Sequence, residues 1–88
     1  MSQADSAYTT IPRPPYFVVM IRYEANGFEA IVDPSMDQDE VAARIVTEEY
    51  DPRRIAFIHH VHDGVVEDVT HTLFMQAYRM EPNLVEVE

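Results

Sequence analysis

Both glycines of this chain sit in Asx-Gly pairs, Asn26-Gly27 and Asp63-Gly64, and each pair lies between strand-like residues. Such pairs are the strongest short-range hairpin signal, because a type I′ turn needs positive φ at both central residues. Each hairpin then runs into a helix-like segment, so the chain reads as ββα twice, over residues 16–51 and 54–80. The predicted fold is α+β: a four-stranded antiparallel sheet from two hairpins with two helices on one face, in ββαββα order.

The chain has 88 residues, which supports a single domain, expected over residues 16–80. Residues 1–15 read as a disordered leader stiffened by Pro12, Pro14 and Pro15, and residues 81–88 as a tail able to add an edge strand. Pro12 and Pro15 also spell a PxxP ligand, but a stiff entry into the first strand accounts for them. A core this small buries only about 60% of its unfolded surface. Without cysteine, neither disulfides nor thiolate metal sites can supplement it. A partner that adds buried area is therefore expected.

Sixteen acidic side chains against six basic ones give a formal net charge of −10. This disfavours direct binding to nucleic acid or anionic membrane and favours a basic protein or nucleoprotein partner. All six bases are arginine, a bias typical of GC-rich bacterial or phage genomes. The first ten residues lack a basic n-region and an apolar h-region, and no apolar run approaches the ~20 residues of a membrane span, so a cytoplasmic location is expected.

In the first hairpin a two-residue turn at Asn26-Gly27 would set Tyr23 opposite Ala30 and Ile21 opposite Val32. Phe17, Val19, Ile21, Tyr23, Ala30 and Val32 would then share the core face, with Val18, Met20, Arg22, Glu24, Glu29 and Ile31 opposite. Capping boxes Ser35-x-x-Gln38 and Asp37-x-x-Glu40 open the first helix, and Pro52 is its expected stop. Asp37, Glu40, Glu48 and Asp51 would gather on one side of that helix, opposite most of the arc of Val41, Ala42, Ile45, Val46 and Tyr50. These four acids are the expected partner-binding face, able to act as a decoy for phosphates. Small acidic proteins of phages and mobile elements, including many CRISPR inhibitors, work in this way. An inhibitor or regulator of a basic partner is the expected function.

Residues 55–62 (IAFIHHVH) and 65–69 form the second hairpin, with His59 opposite Asp68, His60 opposite Glu67 and His62 opposite Val65. The second helix, capped by Asp68 or Thr70, is expected to run to about Met80 on a stripe of Val69, Leu73, Ala77 and Met80, with Pro82 ending it. Phe74, Met75 and Tyr78 widen that stripe beyond what one core needs, which points to a homodimer or partner interface.

His60, His62 and Glu67 share one sheet face and are the metal-ligand candidates, a His2Glu set of zinc type. The His-x-His with Glu five residues on resembles the cupin metal motif, without its flanking glycines and without strands enough for its barrel. Solvated side chains explain the cluster as well, so no cofactor is expected. Catalysis has little else to stand on: the sequence holds no cysteine nucleophile, no Gly-rich phosphate loop and no His-Glu-x-x-His helix. The chain is expected to be non-catalytic. Tyr23-Glu24-Ala25-Asn26-Gly27-Phe28 resembles the opening hairpin of HicB-type antitoxins, although the Pro-x-Leu-Pro-Gly-Cys-like stretch of that family does not follow. The resemblance implies toxin neutralisation as an alternative role.

Overall fold

The computed structural model describes residues 13–25 and 27–84. Most of the expected leader, Asn26 and residues 85–88 of the expected edge strand lie outside them. The elements follow the order β1 (Tyr16–Tyr23), β2 (Gly27–Asp33), α1 (Gln38–Val46), β3 (Ile55–His62), β4 (Val65–Asp68) and α2 (Thr70–Met80). The sheet runs β2-β1-β3-β4, antiparallel throughout, with both helices on one face as predicted. Among the described residues no helix is long and apolar enough to cross a membrane.

Alternation builds the core. Phe17, Val19 and Ile21 point inward from β1 and meet Ile58 from β3. Val41, Ala42 and Ile45 cover them from α1, and Val69, Leu73 and Ala77 from the start of and along α2. Tyr50 and Leu84 close its ends, so Leu84 belongs to the core rather than to a free tail. The α2 entry is fixed to the sheet: Val69 N–H donates to the Ile58 carbonyl, and Ile58 N–H donates to Thr70 Oγ1. Met80, expected on the buried stripe, is exposed.

The second hairpin has the predicted register, with Asp63 at φ +49° and Gly64 at φ +74° in its two-residue turn. The first does not. Tyr23 pairs with Gly27 rather than Ala30, and Ile21 with Glu29, so the loop has three residues and Gly27 leaves it at φ +91°. Relative to the expected pairing β2 slides by an odd number of residues, which exchanges its two faces. Ala30 and Val32 move to the open face, Glu29 and Ile31 to the helix side, and Tyr23 is exposed at the hairpin end.

The physical reason is Asp33. In the observed register its side chain points inward and is only 3% exposed. Its carboxylate accepts Tyr50 OH at 2.6 Å and Arg44 at 3.3 Å on one oxygen, and the Ser35 N–H and hydroxyl on the other. Burial alone would raise its pKa. The hydrogen bonds from Ser35 and Tyr50, with the Arg44 charge, outweigh burial and hold it below the usual carboxylate value.

The first helix also ends earlier than predicted. Asp37 caps its start by accepting the Asp39 N–H at 3.0 Å. Its end is at Val46, where Thr47 and Glu48 N–H groups bond back to Ala43 and Ile45. Glu48 sits at φ +65°, a left-handed position with no glycine to relieve it. That turn sends Tyr50 back into the core, and Pro52 falls in a later turn.

Two substitutions test this account. Tyr50→Phe should cost about 1.5–3 kcal/mol at neutral pH, the range for a hydrogen bond to a charged group. A lowered Asp33 pKa contributes stability above the ordinary 3.8 that is lost as pH falls through the folded value, so the gap between variant and wild type should narrow on acidification. Glu48→Gly should stabilise the chain by about 0.5–1 kcal/mol by relieving left-handed strain, whereas in a helix interior it would cost about as much. Urea denaturation measures both.

Candidate functional site

Cross-strand pairing through β1, β3 and β4 decides which side chains meet. Phe17 pairs with His60, and His60 with Glu67, so the histidines continue the helix-side face of the sheet beyond the core. The Phe17 and His60 rings stack at 4.3 Å and 7°, and His60 stacks on His62 at 4.4 Å. His62 Nε2 lies 3.0 Å from Glu67 Oε1, and its Nδ1 lies 3.4 Å from Asp63 Oδ2. His60 Nε2 is buried with no hydrogen-bond partner among the described residues. One donor atom from each of His60, His62 and Glu67 lies within 4.8 Å of the other two. The expected trio is therefore brought together on the helix side of the sheet, with His60 and His62 half-buried and Glu67 exposed.

The two imidazoles are pushed apart electrostatically. Hydrogen bonds to Glu67, then to Asp63, hold His62 above its ordinary value near 6.5. Burial, then the His62 charge, holds His60 below it. His59 faces the other side, stacked on Phe57 at 4.2 Å. Asp68 opposes it, but the Asp68 carboxylate accepts the Thr70 N–H and hydroxyl instead.

The four acids expected to share a helix face do not. Asp37 is the α1 N-cap, Glu40 lies in its first turn, and Glu48 and Asp51 fall beyond its end. Asp51 accepts the Arg53 N–H, and that backbone bond, helped by the nearby Arg53 and Arg54 guanidinium groups, lowers its pKa. Arg22, Arg53 and Arg54 line one open groove of about 620 Å³ with Tyr23, Glu24 and Asp51, a feature the sequence did not suggest. On α2, Phe74 is half-buried while Met75 and Tyr78 are exposed.

The surface that sequence reasoning missed is the open face of the sheet. The observed pairings set Val66, Val61 and Tyr16 in one row, and Asp68, His59, Val18 and Val32 in the next. Phe57, Met20 and Ala30 form a third row, and Arg22 and Phe28 end the face. Phe28 and Val66 are each 63% exposed, and Val32 is also exposed. A sheet with one solvated face ordinarily alternates apolar and polar residues. This one carries apolar side chains on both faces, interrupted on the open face by Asp68, His59 and Arg22. The signal lay in β1, where residues 16–21 (YFVVMI) run apolar without a break.

No protein-family model, curated protein or solved structure matches the chain. In the metal-free protein the imidazole protons, followed by NMR, should titrate on opposite sides of pH 6.5. His62 should retain its proton above that value and His60 lose its proton below it, with Glu67→Gln bringing His62 back down. A shared midpoint at 6.5 would mean that the cluster does not assemble in solution.

Proposed function

We propose that the chain is a non-catalytic protein-binding module that docks on a basic protein through the open face of its sheet and inhibits or regulates it. The observation that carries this reading is the apolar face built from Val18, Met20, Val32, Phe57, Val61 and Val66. Apolar patches of this kind mark interaction sites, and their burial supplies the favourable free energy of association. The occupant follows from charge. At −10 the chain repels a second copy of itself and attracts a surface rich in Arg and Lys. Nucleic-acid-binding proteins offer such surfaces, so competition with their phosphate ligands is the proposed mode of inhibition, as expected of a phage or mobile-element anti-defence protein. Toxin neutralisation is the alternative within the same class.

Homodimerisation through α2 is the second reading, because Met75 and Tyr78 lie exposed there and both residue types are enriched at interfaces.

The test uses Val32→Glu and Val66→Glu, both at exposed positions, with circular dichroism expected to show the fold retained. Affinity capture from the source organism should identify a basic protein that, once purified, binds in a defined ratio. Calorimetry should show that binding weaken at least tenfold in the double variant, and with added salt. The partner should lose nucleic-acid binding when the wild-type chain is bound. Undiminished binding by the variant overturns the reading. So does light scattering that shows two copies joined through this face.

A further inference from the structure

We propose that His60, His62 and Glu67 form a binding site for a zinc-class divalent metal ion at the end of the helix-side face of the sheet. This site is separate from the proposed docking surface, which lies on the opposite face of the same two strands.

Three observations carry the inference. The first is proximity: one donor from each residue lies within 4.8 Å of the others. Around a tetrahedral zinc ion, neighbouring donors stand roughly 3.4 Å apart, given metal–ligand bonds of about 2.0–2.2 Å. Closing the difference requires rotation of the His62 and Glu67 side chains, on backbones that the β3–β4 ladder and the Asp63-Gly64 turn hold. The second is His60 Nε2, which is buried and has no hydrogen-bond partner among the described residues, an unfavourable state for a polar atom out of reach of water. The stacking of His60 between Phe17 and His62 fixes its ring in that place. A coordinated cation would supply the missing partner.

The third observation is Asp63. Metal-ligating imidazoles commonly offer their second nitrogen to a carboxylate, which sets the tautomer and orients the ring. His62 has Glu67 near Nε2 and Asp63 near Nδ1, so the arrangement of ligand and orienting carboxylate is present in one turn of chain. Two imidazoles and one carboxylate suit zinc, cobalt or nickel better than magnesium or calcium, which take oxygen ligands. Three protein donors leave a coordination position for water or an external ligand.

Thermal melts of the full chain, first stripped with a chelator, provide the test. One equivalent of zinc should raise Tm, while magnesium and calcium, which also meet the acidic surface, should not. Cobalt should give the visible absorption of a four-coordinate centre. Competition with a chromogenic chelator should show zinc affinity reduced about tenfold or more in Glu67→Gln and in His60→Phe, which keeps the ring stack. Asp63→Asn, at an orienting position, should also weaken binding, by about tenfold. Glu67 is exposed, so Glu67→Gln carries the test if the His60 variant fails to fold. No zinc-dependent rise in Tm overturns the site. A rise that persists unchanged in Glu67→Gln also overturns it, because the acidic surface would then be the binder.

Discussion

The buried carboxylate of Asp33 constrains more of this fold than any apolar contact. An ionised group removed from water is tolerated only when hydrogen bonds and opposite charge replace its hydration. Asp33 draws those replacements from three places: Ser35 in the β2–α1 connection, Arg44 on α1, and Tyr50 beyond the helix. Sliding β2 by one residue would turn Asp33 to the open face and leave Tyr50 OH without its acceptor inside the core. Extending α1 toward Pro52 would carry Tyr50 away from it. Hairpin register, helix position and helix length are thus one coupled choice. The left-handed Glu48 is part of that choice, because its local cost is offset by the return of Tyr50 to the carboxylate.

That coupling explains what could be read from the sequence. Asp63-Gly64 yields its register because the two turn residues themselves adopt the backbone geometry of a type I′ turn. Asn26-Gly27 looks the same locally, yet its register answers to Arg44 and Tyr50, which lie 11 and 17 residues from Asp33. The start of α1 was legible from Asp37, a side chain that satisfies a local N–H. Its end was not, because Glu48 carries none of the glycine or asparagine signature of a left-handed cap. The ββαββα order survives these errors. It depends on the apolar periodicity of each segment, not on the register within a hairpin.

The candidate sites divide along the same line. His60, His62 and Glu67 could be grouped from the sequence because strand alternation and one tight turn are local rules. Their place beside the core could not, since the Phe17–His60 pair joins strands far apart in the chain. The acidic face failed for the opposite reason. Its spacing assumed a helix through residue 51, and the chain leaves the helix at Val46. Once Asp51 is seen beside Arg53 and Arg54, the negative charge is distributed over the surface rather than gathered on one helix face. In the proposed association its effect would be a long-range one, attracting basic surfaces without specifying where they dock.

Under the proposed function, docking specificity would come from the apolar side chains on the face away from the helices. Residues of β3 and β4 alternate between the two surfaces: Val61 and Val66 face outward, while His60, His62 and Glu67 face the helix side. β4 has only four residues and all are exposed, so the Val66 end of the open face has little of its own to hold it. A ligand that bridges His60 and Glu67 would tie β4 to β3 from behind and fix the position of Val66. Ordering an edge strand before a partner arrives lowers the entropy lost on binding. With the proposed ligand bound, the two faces of this small sheet would be linked through β4, even though they share no side chain.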